Sequence, residues 1–144
     1  LSVMHCDFCF ANLFYDFRTD RIRAIDPRGM IGAQRTIFGD LRYDLAKLAH
    51  SLHGYDHILA GRFRSEGGHG RDLDIALLDG GRLAALRDNV ARFAVSGRGL
   101  GDREITALVI HLFLAMLPLH ADDPVRQRAL LANALRLYVE EFDT

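Results

Sequence analysis

The hydrophobic rhythm of the chain changes once, near residue 40. Before that point, Leu13–Phe17 is apolar and aromatic, Arg18-Thr19-Asp20 supplies turn residues, and Arg21–Ile25 alternates charged with apolar side chains. That pattern predicts a β-hairpin. In Asp26-Pro27-Arg28-Gly29, Pro denies a ladder hydrogen bond and Gly permits a tight backbone, so the segment to Gly39 reads as loop with one short strand. From Asp40 the period is helical: Leu41, Leu45, Leu48 and Leu52 fall on one stripe, Asp40 is a suitable N-cap, and Gly54 ends or interrupts the helix. Gly67–Gly70 reads as loop, and Asp72–Leu78 fits either a strand or an early helix. Three helices follow, roughly Gly81–Val95, Asp102–Leu117 and Pro124–Phe142, with Asp102 and Asp123 as N-caps and Pro124 at the favoured first position. Leu130, Leu131, Ala134, Leu135 and Tyr138 form the expected buried face of the last helix, and Gly97–Gly101 reads as a linker between two helices. The pattern describes one domain over 1–144: a loop and hairpin first, then a largely helical body, hence an α+β chain.

Composition narrows the function classes. The 144 residues are 49% hydrophobic and 26% charged with a formal charge of -1, an ordinary globular balance with no electrostatic case for nucleic acid. No apolar run approaches the roughly 20 residues of a bilayer span. The longest, Ile110–Leu119, is interrupted by His111 and Pro118 and reads as a buried helix. There is no basic-then-apolar leader, and two cysteines in one loop exclude a disulfide scaffold, so a reducing, cytoplasmic setting is expected. The chain opens on Leu1 rather than Met and meets its densest motif by His5, so it reads as a fragment or processed chain.

That motif, "MHCDFCFANLFYDF" from Met4 to Phe17, holds two overlapping patterns. Cys6-Asp7-Phe8-Cys9 has the spacing of a dithiol pair or half a zinc site. A reactive pair normally sits at a helix N-terminus, which lowers its pKa, whereas strand-forming residues follow Cys9 and Asp7 adds negative charge between the thiols. A zinc site needs a second pair that the sequence lacks. The expectation is two small buried thiols.

The second pattern, H-x-D-x-x-x-x-N over His5, Asp7 and Asn12, makes further demands that the sequence meets. Phosphoryl transfer to a hydroxyl needs a carboxylate to orient the nucleophile and accept its proton, and oxygen ligands for magnesium on the nucleotide phosphates. Asp7 supplies the first, and Asn12 offers a neutral amide oxygen to a metal already surrounded by phosphate charge. A second metal carboxylate should return after a short hairpin, and Asp26 stands there, directly after Ala24-Ile25. The competing explanation is that Asp7, Asn12 and Asp26 are turn and cap residues.

At these residues the chain resembles the aminoglycoside phosphotransferase and choline kinase-like family of small-molecule kinases. "HCDFCFANLFYDF" looks like that family's catalytic loop, "IDPRG" like its metal-binding segment and "GDLRYDLAKL" like the segment that follows, with coverage clear from about Val3 to Leu52. "IDPRG" with "YDLAKL" is most similar to members associated with surface-carbohydrate biosynthesis. The resemblance implies the mostly helical C-terminal lobe of a protein-kinase-like fold, with ATP and Mg2+ as cofactors and a small-molecule hydroxyl as acceptor. It implies Asp7 as catalytic base, His5 as a brace of the catalytic loop, Asn12 and Asp26 as magnesium ligands, and Asp44 as the anchor of the following helix. Cys6 departs from the family's usual Gly. The family's N-terminal nucleotide-binding lobe has no counterpart here; it is the expected partner of this surface, and without it the chain should bind ATP poorly.

Other residues carry weaker expectations. Arg28, beside Asp26, is positioned either to contact nucleotide phosphate or to pair with a carboxylate. His50, His53 and His57 would cluster opposite the leucine stripe, where three solvated histidines are expected rather than a metal site. Arg126, Arg128, Arg136, Glu140 and Glu141 read as a solvated face of the last helix. Two rival functions stand beside the kinase: a non-catalytic remnant or interaction module of the same fold, and a metal-binding or redox protein using Cys6, Cys9 and the histidines.

Overall fold

A computed structural model describes residues 1–65 and 73–143. Gly67–Gly70 and the first residue of the Asp72–Leu78 stretch lie outside the described residues. The strands β1 (Ser2–Val3), β2 (Leu13–Asp16), β3 (Arg21–Ala24), β4 (Met30–Ile31), β5 (Gln34–Arg35) and β6 (Phe38–Gly39) precede the helices α1 (Leu41–Leu52) and α2 (Tyr55–Leu59). Then come β7 (Phe63–Arg64), β8 (Ala76–Leu77), α3 (Arg82–Val90), β9 (Ala94–Val95), β10 (Arg98–Gly99), α4 (Arg103–Met116) and α5 (Pro124–Phe142). The described chain is α+β, with five helices and five two-stranded antiparallel ladders.

The predicted hairpin is β2–β3, in register Leu13 to Ala24 through Asp16 to Arg21. The segment before Gly39 holds three short strands where one was expected. The pairing that matters most is β1 with β6, Ser2 opposite Gly39 and Val3 opposite Phe38. It folds the start of the chain back onto the entry to α1 and sets residues 5–7 beside that helix's first turns. Gly39 makes the approach possible, because a Cβ there would run into the Met4 sulfur.

The helical body is built around α4, which packs against both α1 and α5. Leu45, Ala46 and Ala49 of α1 join Ile105, Val109 and Phe113 of α4 and Ala129, Leu130, Ala134 and Leu137 of α5 in one core. Arg103–His120 is long and apolar enough to cross a membrane by length and composition alone, although no continuous apolar run of that length occurs in it. Its helical part, α4, has only 14 residues, about 21 Å of rise against a hydrocarbon core of about 30 Å. Ile105, Val109 and Phe113 on it are fully buried against neighbouring helices, whereas Leu114 and Leu119 are exposed, so Ile110–Leu119 is only partly a buried helix.

The caps divide in an instructive way. Asp40 accepts from the Arg42 amide at 3.0 Å, and Asp123 accepts from Val125 and Arg126 at 3.1 and 3.0 Å. Asp102 holds the N-cap position of α4, yet its carboxylate accepts from the Gly99 amide at 2.9 Å instead. The reason is a hairpin that the sequence pattern hid. The helix expected to run to Val95 stops at Val90, and Ala94–Val95 pairs with Arg98–Gly99 around Ser96-Gly97. Both turn residues are left-handed, φ 54° and 76°, the conformation a two-residue hairpin turn requires. Gly97–Gly101 is therefore part of a hairpin rather than a plain linker.

Two buried faces also differ from expectation. On α5 the core face is Leu130, Asn133, Ala134 and Leu137, while Leu135 and Tyr138 are exposed. Asn133 tolerates complete burial because it donates to the His53 carbonyl at 3.0 Å and accepts from Arg136 at 2.9 Å. Arg136 of the expected solvated face is thus partly enlisted in packing.

His50 is not solvated: it is fully buried, stacked on Tyr55 at 4.2 Å and edge-on to Phe113 at 4.1 Å, with neither ring nitrogen hydrogen-bonded. Burial, then the Lys47 and His53 charges, push its pKa down to about 3; burial, Arg87 and Arg136 push that of His53 down to about 4. Both are neutral in the fold, and in the unfolded chain each takes up a proton below about 6.5. Stability is therefore complete above pH 6.5 and is lost as pH falls from there toward 4 and then 3. Between pH 7 and 5, His50 alone should cost about 2 kcal/mol, read as a lower urea midpoint. His50→Leu should flatten that slope, and a midpoint constant between pH 5 and 7 would contradict the burial argument.

Candidate active site

The site is assembled by α1, which grips the chain from His5 to Phe10 along its length. Asp44, nearly buried, accepts the backbone N–H of His5 at 2.7 Å and of Cys6 at 2.8 Å. Ser51, two turns further along α1, accepts the Phe10 amide at 3.1 Å. Between them Lys47 places its ammonium 2.7 Å from Asp7 Oδ1. Asp44 thus sits where a helix anchor is expected, holding loop backbone that would otherwise be left without partners.

Within the loop, the Asn12 amide nitrogen donates to the Asp7 carbonyl at 2.9 Å and to Asp7 Oδ2 at 3.2 Å. Because the NH2 end of the side chain is spent on Asp7, its oxygen is the end left to accept. Asp7 is half-buried, and burial by itself would raise its pKa. The Lys47 hydrogen bond and charge, then Asn12 and Arg28, outweigh it and hold the carboxyl below its usual range. Asp7 is an ionised, oriented carboxylate at neutral pH.

The β2–β3 register brings the second segment back to this loop. Ile25 donates its amide to the Asn12 carbonyl at 3.0 Å, so Asp26 is one residue past the point opposite Asn12. Arg28 closes the circuit by donating its amide to the His5 carbonyl at 2.9 Å. Asp26 and Arg28 are both exposed, and a cleft of about 390 Å³ lined by Met4, Cys6, Arg28, Met30 and Tyr43 borders the loop. His5 is tied on both sides through its backbone, while neither nitrogen of its ring has a hydrogen-bond partner; the ring packs edge-on to Phe8 at 5.7 Å.

Backbone strain is concentrated here. Four non-glycine residues among those described have positive φ, and Asp20 and Ser96 are accounted for by hairpin turns. Cys6, at φ 64°, and Asp26, at φ 56°, are in no hairpin turn and flank the two loops of the site. Such conformations cost of order 1–3 kcal/mol and persist where surrounding contacts over-determine them. At Cys6 the determining contact is the Asp44 carboxylate.

The surroundings of the thiols do not favour a reactive pair. Cys6 and Cys9 are free and buried, and burial followed by the nearby carboxylates Asp44 and Asp7 raises both pKa values, the opposite of activation. Among the described residues no three His, Cys, Asp or Glu side chains gather in a metal-binding group. Sequence reasoning missed Lys47 and Ser51 as site residues. Their signal was present, since Asp44, Lys47 and Ser51 recur at helical spacing beside the leucine stripe, but a polar stripe on a helix ordinarily faces solvent.

Comparisons with protein-family models, with curated proteins and with solved structures return no match for this chain.

Proposed function

We propose that this chain is the C-terminal catalytic lobe of an ATP-dependent small-molecule kinase, transferring the γ-phosphoryl group to a hydroxyl of a sugar, amino sugar or amino alcohol. The observation that carries the reading is Asp7 itself: a half-buried carboxylate fixed through both oxygens, on a loop to which hairpin register returns Asp26. Asp7 orients the acceptor hydroxyl and takes its proton as the oxygen bonds to phosphorus and the bond to the departing ADP oxygen breaks. Asn12 and Asp26 would hold magnesium together with phosphate oxygens, and the free amide oxygen of Asn12 and the exposed carboxylate of Asp26 fit that task. The metal, when bound, supplies neutralisation of the phosphate charge. Arg28, exposed at the rim of the cleft, is suited to a phosphate. His5 contributes as a loop brace through its backbone.

The left-handed Cys6 supports the resemblance noted in the sequence, because the family usually carries Gly there and glycine adopts that conformation without strain. Exposed apolar side chains on the two ladders beside the site support a second lobe. Phe17 and Ile22 on the β2–β3 hairpin are 87% and 70% exposed, and Val3, Ile37 and Phe38 on the β1–β6 side are at least half exposed. A nucleotide-binding lobe packed there would cover surface that is costly to leave wet.

The test is magnesium-dependent transfer of labelled γ-phosphate from ATP to sugar, amino sugar and amino alcohol acceptors. Residues 1–144 alone should show little transfer, and a longer chain carrying a strand-rich lobe ahead of Ser2 should show it. In that longer chain, Asp26→Ala should weaken magnesium-nucleotide affinity by at least roughly tenfold, since loss of even an outer-shell partner of a metal costs that much. Unchanged magnesium dependence in Asp26→Ala would remove its ligand role, and no transfer from a folded longer chain would favour the interaction module.

A further inference from the structure

We infer that Lys47 is the positioning residue for Asp7, a role resting on the kinase reading above but carried by its own geometry. A lysine in a helix ordinarily runs its stem along the surface and keeps its ammonium in water. Lys47 is only 7% exposed, and its ammonium ends 2.7 Å from Asp7 Oδ1.

The arrangement along α1 shows what that burial accomplishes. Asp44, Lys47 and Ser51 meet successive points of the loop in the same order: His5 and Cys6, then Asp7, then Phe10. The outer two hold backbone amides and therefore fix the path of the loop. Lys47 is the member that holds a side chain. With Oδ1 on Lys47 and Oδ2 on Asn12 at 3.2 Å, the carboxylate plane of Asp7 is set by contacts on both sides. The longer bond leaves Oδ2 as the oxygen better able to receive an acceptor hydroxyl. Without the ammonium, one contact remains and the carboxylate can rotate about its side chain.

Stability alone does not explain the placement. Replacing both members of a buried ion pair by apolar side chains is roughly neutral, whereas removing one leaves the other's charge uncompensated. Lys47→Met is therefore the discriminating substitution, and Lys47→Arg its charge-retaining control. The Lys47 charge also acts on Cys9, His50 and Tyr55, and Lys47→Arg keeps that charge.

Two measurements test the role. In residues 1–144, Lys47→Met should lower the urea midpoint, because half-buried Asp7 keeps its charge without a counter-charge. It should also quicken amide exchange at Cys9 and Asn12 about tenfold more than at the core amides of α4, as local opening beyond the global loss. Lys47→Arg should restore protection. In the longer chain, with MgATP and water as the probe reaction, Lys47→Met should lower kcat by about 10²-fold, the cost of a misplaced catalytic group, at unchanged KM for MgATP. Unaltered loop exchange, or loop exchange that quickens no more than at the core amides of α4, would overturn the positioning role. If exchange behaves as expected but the unsubstituted longer chain lacks turnover, the kinase reading fails, and Lys47 is then a fold element only.

Discussion

Asp7→Asn should lower kcat of the nucleotide-competent protein by about 10²–10⁴-fold, the span attributable to a positioned proton acceptor. The KM for MgATP should barely move, since Asn12, Asp26 and Arg28 are untouched. The substitution keeps the size of the side chain and leaves one oxygen to accept from the Lys47 ammonium at its present 2.7 Å position. It removes the charge that makes the carboxylate a base and turns the oxygen beside Asn12 into a donor, facing another donor. Some stability is lost too, because Lys47 loses its counter-charge in a largely buried place. Thermal melts run beside the kinetics separate the effects: a folded protein with a collapsed kcat is the expected outcome. Retention of more than about a tenth of kcat would remove Asp7 from the proton-accepting role.

Asp44→Ala is expected to be the most destabilising single change at the site. It strips acceptors from the His5 and Cys6 amides, held now at 2.7 and 2.8 Å. A buried donor without a partner costs about 1–3 kcal/mol, so the pair should cost about 2–6 kcal/mol in urea unfolding. Cys6 would also lose the contact that keeps it at φ 64°, and the loop should relax from that geometry. Asp44→Asn keeps one accepting oxygen and should lose roughly half as much. Amide exchange at His5 and Cys6 reports the local part directly. A loss below about 0.5 kcal/mol in Asp44→Ala would mean that the loop is held elsewhere.

The hairpin, α1 with its Asp40 cap, and α4 and α5 were legible from the chain, because each depends on periodicity and turn chemistry within a few residues. Leu13–Phe17 declared a strand by its apolar, aromatic content and Arg21–Ile25 by alternation, and Pro124 after Asp123 declared a helix start. The candidate site was legible in outline for a related reason. Asp7, Asn12 and Asp26 are separated by a loop and a hairpin whose lengths alone bring Asn12 and Ile25 opposite each other.

What escaped the reading depends on partners far along the chain. His50 looks like a solvated residue opposite a leucine stripe until Phe113 of α4 and Tyr55 of α2 close over it. Gly97–Gly101 looks like a linker until Val95 and Arg98 pair across Ser96-Gly97. The lysine in "YDLAKL" is an ordinary helix-former until β1 pairs with β6 and lays Asp7 over α1. Local sequence dictates period, caps and turns, since those energies arise between near neighbours. Which face is buried, and which carboxylate an ammonium meets, is decided only when distant segments pack, because desolvation and ion pairing depend on what is brought alongside.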